Sequence, residues 1–146
     1  MRKRIDRRWR DDQGATLVEF SLITFMYLIL LFSVVEMGRM LIVYTALANA
    51  AHAGTRYAIV HGSDLTSGAC GPGNTAAVQT AVSNFAAAGL LNTSSLNTVV
   101  SYPAGTNTPG STVTVTVTYT YDPLLGYFSK ILNKTLGSSS EGVITF

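Results

Sequence analysis

Residues 11 to 39 read DDQGATLVEFSLITFMYLILLFSVVEMGR, and this stretch decides the architecture of the chain. Ala15 to Val35 is a run of 21 residues with one charged side chain, Glu19. As a helix rising 1.5 Å per residue, the run is roughly 31 Å long, which is enough to cross the hydrocarbon core of a bilayer. Since a carboxylate in hydrocarbon costs a few kcal/mol, Glu19 indicates a function for this segment.

The positive charge of the 146-residue chain is distributed asymmetrically. Of the 10 Lys and Arg residues, six precede the apolar run and four follow it. Short flanks rich in Lys and Arg stay in the cytoplasm, so we expect the N-terminus inside and the C-terminal part of the chain outside. A basic cluster also suits nucleic acid, but the position beside a membrane span explains it better, and we predict no nucleic-acid partner.

The helical pattern continues past the membrane span. No Pro occurs from Glu36 through Val60, so one helix is predicted from about Ala15 to about Val60. Its outer half carries a narrow stripe of small and apolar residues at helical spacing, namely Leu47, Ala51, Gly54 and Ala58. Such a stripe lets a sheet or a second helix approach closely.

The next segment is predicted to be a loop followed by a short helix. Residues 61 to 74 are rich in Gly, Ser and Pro, which is typical of a loop. The helix runs from about Thr75 to Ala88, with Asn74 as its N-cap and Gly89 as the residue that ends it. Its predicted apolar stripe consists of Val78, Ala81, Val82 and Phe85.

The clearest strand signal is STVTVTVTYTY, residues 111 to 121. Val and Tyr alternate strictly with Thr, which places one apolar face against the core and one hydroxyl face toward water. NTVVSY, residues 97 to 102, is predicted to be the antiparallel partner across the loop 103 to 110.

The last part of the chain is predicted to hold a helix and a short strand. Asp122 and Pro123 are typical of a helix start, and Gly137 is the predicted stop. The apolar face of this helix consists of Leu124, Leu125, Phe128, Ile131, Leu132 and Leu136. Gly142 to Phe146 is predicted to be a short final strand.

Together these elements predict an α+β fold in three parts. Residues 1 to 14 are a basic cytoplasmic leader, residues 15 to 60 are a transmembrane and extended N-terminal helix, and residues 61 to 146 are an extracytoplasmic domain. We expect the outer half of the long helix to pack on a small antiparallel sheet.

No constellation of residues predicts catalysis or a cofactor. His52 and His61 have no acidic or cysteine cluster at ligand spacing, so no metal site is predicted. GACGPGN, residues 68 to 74, lacks the ending of a phosphate loop, and HGSD, residues 61 to 64, supplies neither a nucleophile elbow nor an oriented base. Cys70 is predicted to be an incidental thiol rather than a cross-link.

Two features beside the span have simple physical interpretations. Glu36 and Arg39 are three residues apart, and we predict an interfacial ion pair worth a few tenths of a kcal/mol.

A secretory signal peptide cut near ALANA, residues 46 to 50, is disfavoured because its apolar region would be too long and would carry a charge.

The start of the apolar helix resembles the processing and assembly signal of type IV pilins. The shared pattern is a basic leader ending in Gly14, a small residue, and a glutamate at the fifth position of the helix. The resemblance implies that a membrane aspartyl peptidase cuts after Gly14 and leaves Ala15 as the new N-terminus. Glu19 then lies one helical turn from a positive amine and pairs with its own amine or with that of a neighbouring subunit. Spacing leaves both open, and the resemblance favours the neighbour.

Within the type IV pilins, residues 13 to 60 are most similar to the TadE-like minor pseudopilins of the tight adherence (Tad) pilus system. The residues that carry this resemblance are Gly14, Glu19, Phe20, the pair Glu36 and Arg39, and ALANAAHAGTRYA at 46 to 58. Phe20 stands where the major pilin of that system usually has tyrosine, and the chain is much longer than that pilin. Both departures indicate a minor, assembly-assisting subunit.

The resemblance implies a non-enzymatic subunit with a type IV pilin-like fold, no cofactor and an anchor in the inner membrane. The implied partners are the prepilin peptidase, the major pilin, another minor pseudopilin, and the pilus platform with its assembly ATPase. The subunit would join or prime a filament through its N-terminal helix. The alternative is an unprocessed single-pass membrane protein with an extracytoplasmic binding domain. Retention of residues 1 to 14 would distinguish this alternative from the processed subunit.

Overall fold

The computed structural model describes residues 5–64, 68–89, 91–124 and 134–145, with the backbone alone for residues 5–13. Its elements in chain order are α1 (Ile5–Val60), α2 (Ala76–Ala88), a 3-10 turn (Thr93–Ser95), β1 (Leu96–Ser101), β2 (Thr112–Tyr121) and β3 (Lys134–Val143). The three strands form an antiparallel sheet in the order β1-β2-β3. The predicted α+β fold, a long helix followed by a small antiparallel sheet, is confirmed.

The helix α1 ends at Val60 as predicted but begins at Ile5 rather than at about Ala15. The leader contains no Pro, and its Arg and Gln residues favour a helix. Gly14 costs a helix about 1 kcal/mol relative to Ala, which an otherwise continuous helix tolerates. The chain divides into two compact units, Met1–Gly38 and Arg39–Phe146, and α1 contributes to both.

The outer half of α1 provides the helical side of the core of the second unit. The buried members of its predicted stripe are Leu47, Ala51, Gly54 and Ala58. A Cβ built on Gly54 would overlap Val82 of α2 and lie 3.2 Å from a methyl group of Val115 in β2. The stripe is therefore confirmed as the surface where α1 meets α2 and the sheet.

The sheet is organised around β2, whose alternation follows the prediction. Val113, Val115 and Val117 are fully buried, whereas the threonines between them lie on the opposite face. In β3, Ser140 pairs with Val115 and Gly142 pairs with Val113. Directly paired residues of an antiparallel sheet share a face, so Ser140 and Gly142 face the core.

Small residues in β3 let α1 lie directly on this strand. A Cβ on Gly142 would overlap the Ile59 side chain and lie 2.9 Å from Cγ2 of Thr55. The hydroxyl of Thr55 donates a hydrogen bond of 3.2 Å to the carbonyl of Ser140. Just after β3, the amide of Thr145 donates a hydrogen bond of 3.1 Å to the carbonyl of Ile59.

The prediction for the end of the chain is wrong where it can be compared. Leu136, predicted in a helix, and Gly137, its predicted stop, lie in β3. The final strand runs from Lys134 to Val143 instead of from Gly142 to Phe146. The continuous pairing of β3 with β2 outweighs the weak strand propensity of its Gly and Ser residues. The rest of the predicted helix, residues 125–133, lies outside the described residues, as does residue 146.

The start of α2 also differs from the prediction. Its N-cap is Thr75 rather than Asn74. The side chain of Asn74 is engaged in the preceding loop, where it donates a hydrogen bond of 3.3 Å to the carbonyl of Ala69. Asn74 also forms an isolated bridge with Gly71. At the other end, Gly89 is the C-cap, as predicted.

The apolar face of α2 is rotated slightly from the predicted stripe. The buried residues are Val78, Val82 and Ala86, which recur every four positions. Phe85 is exposed, so its assignment to the core is wrong. Val82 and Val78 of this face lie against Gly54 of α1.

Candidate functional site

Gly14 lies within α1, in the first compact unit, and is exposed. A Cβ built on it would meet no atom within 4 Å. Packing in the described chain therefore does not require a glycine at this position.

Ala15, Glu19 and Phe20 are exposed side chains at the start of the apolar run, and Phe20 is 69% exposed. Ala15 and Glu19 are four residues apart, so they lie on one face of α1 with an axial separation of about 6 Å. The structure thus brings these two predicted site residues together. Their roles in cleavage and assembly stay predictions.

The run that contains Glu19 is exposed around the whole circumference of α1. Among the described residues, α1 is the helix that is long and apolar enough to cross a membrane, with a mean hydropathy of 2.2 in its most apolar window and none of that window buried. The hydroxyls of Ser21 and Ser33 donate hydrogen bonds of 2.8 Å and 2.7 Å to carbonyls of the same helix. Because hydrocarbon offers no hydrogen-bond partners, such internal bonds suit a lipid environment. The chain is anchored in a membrane by α1.

Glu36 and Arg39 lie on either side of the boundary between the two compact units. In the second unit, the guanidinium carbon of Arg39 is 5.5 Å from the ring centroid of Tyr121, which is a cation–π geometry. Sequence reasoning missed this contact because the two residues are far apart along the chain. The ion pair between Glu36 and Arg39 stays a prediction.

His52 and Ser140 form a pair that superficially resembles a catalytic dyad. Nδ1 of His52 is 3.0 Å from Oγ of Ser140. Ser140 is only 7% exposed, and its carbonyl accepts the hydroxyl of Thr55, so the pair fastens α1 to β3 and leaves Ser140 little access to a substrate. In the part of the chain that the structure describes, no group of three His, Cys, Asp or Glu residues is placed to hold a metal ion.

Cys70 lies in the loop predicted for it, but its side chain is fully buried. Its thiol is 3.7 Å from the carbonyl oxygen of Gly68. Its carbonyl accepts a hydrogen bond of 3.0 Å from the amide side chain of Asn107, which ties this loop to the one between β1 and β2. The sequence gives no signal for this burial, because the partner loop is distant along the chain. A cross-link through Cys70 would require the loop to open.

The buried thiol gives the second unit a defined dependence on pH. Burial raises the pKa of Cys70 above its ordinary value of 9.0. Burial, and secondarily the neighbouring Cys70, raises the pKa of Tyr102 above 10.0. The unfolded chain therefore loses these two protons at a lower pH than the folded chain does. The stability that these two groups contribute is fully present below pH 9.0 and is lost as the pH rises through their folded pKa values.

We expect the free energy of unfolding, measured by urea titration, to decline as the pH is raised above 9.0. Cys70→Ala should lower the free energy of unfolding at neutral pH, because packing is lost. It should also remove the part of the alkaline decline that begins near pH 9.0, where the Cys70 thiol ionises in the unfolded chain. The decline that remains should begin near 10.0, where Tyr102 ionises in the unfolded chain. An unchanged alkaline slope in Cys70→Ala would contradict this assignment.

Comparison with known proteins places the similarity in α1. Residues 14–56 match the family model described as TadE-like protein, which confirms the resemblance predicted from the sequence. The matched segment begins at Gly14 and ends within the outer half of α1. No curated protein and no solved structure matches the chain. The match covers 43 of the 146 residues and shows that this segment is similar to a family associated with Tad pili.

Proposed function

We propose that this protein is a minor pseudopilin that assists assembly of a Tad-type pilus. A prepilin peptidase removes residues 1 to 14, and the mature protein joins or primes the filament through its N-terminal helix. The observation that carries the proposal is the position of Gly14 and Glu19 at the start of an exposed apolar helix, within the segment that matches the TadE-like family.

The geometry around Gly14 supports a role in cleavage. The bond between Gly14 and Ala15 lies inside α1, because the helix begins at Ile5. A peptidase that reads an extended backbone has to unwind the helix locally. Glycine lowers helix stability by about 1 kcal/mol relative to Ala, so Gly14 makes this opening easier at the bond to be cut. The open space around its Cα also suits close approach of an enzyme.

The proposed orientation follows from the distribution of charge. The leader with its six basic residues stays in the cytoplasm, and the second compact unit lies outside the inner membrane. The proposed partners are the prepilin peptidase, the major pilin, another minor pseudopilin, and the pilus platform with its assembly ATPase. No step of this function requires catalysis or a cofactor in the chain itself.

Gly14→Val tests the proposal directly. The branched side chain should block cleavage by obstructing the peptidase, while membrane insertion persists because the hydrophobicity of the span is unchanged. A Cβ at this position meets no atom within 4 Å, so we expect the chain to fold normally. Mass spectrometry and N-terminal sequencing of protein recovered from membranes should find Ala15 first in the parent and residues 1 to 14 retained in the variant.

Gly38→Val is the matched control, because Gly38 lies in the same helix and a Cβ there also meets nothing within 4 Å. This variant should be cleaved like the parent. Loss of residues 1 to 14 from Gly14→Val would overturn the processing model. Retention of those residues in the parent, in cells with an active prepilin peptidase, would favour the unprocessed single-pass protein with an extracytoplasmic binding domain.

A further inference from the structure

Strand β3 forms one edge of the sheet, because the strand order is β1-β2-β3. Just beyond β3, the amide of Ile144 donates a hydrogen bond to the carbonyl of Ser111, which directly precedes β2. The next amide, that of Thr145, points away from β2 and donates to the carbonyl of Ile59 in α1. Because the register with β2 is continuous, the same alternation extends through β3. The odd-numbered residues of β3 therefore direct their backbone N–H and C=O groups away from the sheet.

These odd-numbered residues form an edge that is open in the described part of the chain. They are Thr135, Gly137, Ser139, Glu141 and Val143, and all of them are exposed. Among the hydrogen bonds between described residues, none joins their backbone groups to an element outside the sheet. We call this stretch, residues 135–143, the open edge.

The two edges of the sheet differ in how they are protected. Edge strands commonly carry features that prevent pairing with another chain. β1 has six residues, and the side-chain amide of Gln79 donates a hydrogen bond of 3.4 Å to the carbonyl of Thr98. β3 has ten residues, no proline and an unbroken register with β2, and its residues from Gly137 to Ser140 are small and uncharged. The open edge therefore offers another strand a long and unobstructed ladder.

The C-terminal part of α1 lies on the core face of β3 and runs in the same direction as the strand. The hydroxyl of Thr55 bonds the carbonyl of Ser140, and Ile59 lies against Gly142. Between these two contacts the helix rises about 6 Å and the strand about 7 Å. Residues of α1 can therefore be matched with residues of β3 at the same level.

Two exposed residues of α1 are level with two residues of the open edge. Arg56 directly follows Thr55 and is level with Glu141, and Val60 is level with Val143. Val60 is 43% exposed and Val143 is 51% exposed. Within one chain these pairs do not meet, because Glu141 and Val143 point to the outer face of the sheet, opposite α1.

We propose that β3 of a second copy of the chain pairs with the open edge in parallel. In a parallel ladder, the residues that bond across the shared edge carry their side chains on opposite faces of the combined sheet. The second copy therefore turns its outer face to the side on which α1 of the first copy lies. Glu141 of the second copy then lies beside Arg56 of the first, and Val143 lies beside Val60. The copies are staggered by one residue, about 3 Å, which a long Arg side chain spans.

Charge favours parallel over antiparallel pairing of the two copies. In antiparallel pairing centred on Ser139, the bonded residues carry their side chains on one face, so both α1 helices lie on that face. Arg56 of one copy then approaches Lys134 of the other, and both are cationic. Parallel pairing instead joins opposite charges and covers two exposed valines. It does not depend on cleavage after Gly14 or on pilus assembly.

The test uses the full-length chain in phosphatidylcholine vesicles at a series of protein-to-lipid ratios. Ala104→Cys, an exposed site between β1 and β2, is labelled with an energy donor in one population and an acceptor in another. Cys70 is buried and stays unlabelled under native conditions, which the parent chain verifies. Energy transfer should rise with the protein-to-lipid ratio and saturate as pairs form.

Charge reversal separates this pairing from other contacts between copies. Glu141→Arg and Arg56→Glu should each raise the ratio needed for half-maximal transfer about tenfold, because each brings like charges together. The combination of both changes should restore the parental ratio. Asp122→Arg is the matched control, since it makes the same change of charge at the other end of the sheet, where Tyr121 pairs with Lys134. This variant should behave like the parent.

Hydrogen exchange measured by mass spectrometry reports on the open edge itself. The amides of Gly137, Ser139 and Glu141 should exchange more slowly at high than at low protein-to-lipid ratio. Equal protection at all ratios would show that a segment of the same chain covers the edge and would overturn the proposal. Absence of energy transfer in the parent, transfer that both single variants leave unchanged, or a loss that the double variant does not recover would also overturn it.

Discussion

Glu19→Ala is expected to abolish association with other pilin subunits while leaving membrane insertion and cleavage intact. Insertion should persist or improve, because the substitution removes a charge that disfavours burial in hydrocarbon. Cleavage should persist if the peptidase reads mainly Gly14. Association should fail because the Ala15 amine created by cleavage would enter a low-dielectric helix bundle without its countercharge.

The expected effect is large because the pair is screened little by water. At an effective dielectric constant near 20, opposite charges about 4 Å apart attract by about 4 kcal/mol before the cost of desolvation. Ala15 and Glu19 lie on one exposed face of α1, so the carboxylate is available to its own amine or to that of a neighbour. Removing one member of a buried pair leaves the other charge uncompensated, which is the more costly state.

The measurement is recovery of the major pilin with affinity-purified mature protein, together with the number of pili on cells. Glu36→Ala is the control, because it removes the glutamate that directly follows the apolar run and leaves Glu19 in place. Its predicted ion pair with Arg39 is worth only a few tenths of a kcal/mol, so co-purification should be near normal. Parental recovery of the major pilin and of pili with Glu19→Ala would show that Glu19 does not determine assembly.

The residues proposed for cleavage and assembly are identified from signals that are local in the sequence. Gly14 and Glu19 stand in one helix at fixed spacing, and the apolar run around them is long enough to identify alone. Contacts that join distant segments could not be predicted in the same way. The stacking of Arg39 on Tyr121 depends on the register of the sheet against α1, and so does the hydrogen bond between His52 and Ser140.

The fold shows the same division between local and distant signals. β2 was evident from its strict alternation of Val and Thr, and its pairing with β1 followed from proximity along the chain. Most of β3 lies outside the predicted final strand, because its residues from Gly137 to Gly142 have weak strand propensity. Their small size is explained by α1, which leaves no room for larger side chains at Gly142. A strand selected for close packing against a helix therefore lacks the pattern by which strands are recognised.

Substitution by Ala should change stability in opposite directions at Gly38 and at Gly54, the two glycines in the outer part of α1. In an open position, replacing glycine by alanine stabilises a helix by about 0.5–1 kcal/mol, and Gly38 has no neighbour within 4 Å of a Cβ. At Gly54 the same Cβ would overlap Val82 and crowd Val115. Overpacking of this kind costs about 1–3 kcal/mol, which exceeds the gain in helix propensity. We expect Gly54→Ala to destabilise the second unit and Gly54→Leu to prevent its folding.

The buried thiol of Cys70 provides the measurement, since it becomes accessible only when the loop that covers it opens. Alkylation of Cys70 in increasing urea should show a lower midpoint for Gly54→Ala than for the parent, and an equal or higher midpoint for Gly38→Ala. The combination Gly54→Ala with Val82→Ala should recover part of the loss, because shortening Val82 removes the overlapping methyl groups even though it leaves less apolar contact. Equal midpoints for the parent and Gly54→Ala would mean that α1 and α2 are not in close contact at Gly54, and that the stripe on α1 does not set the distance between the helix and the sheet.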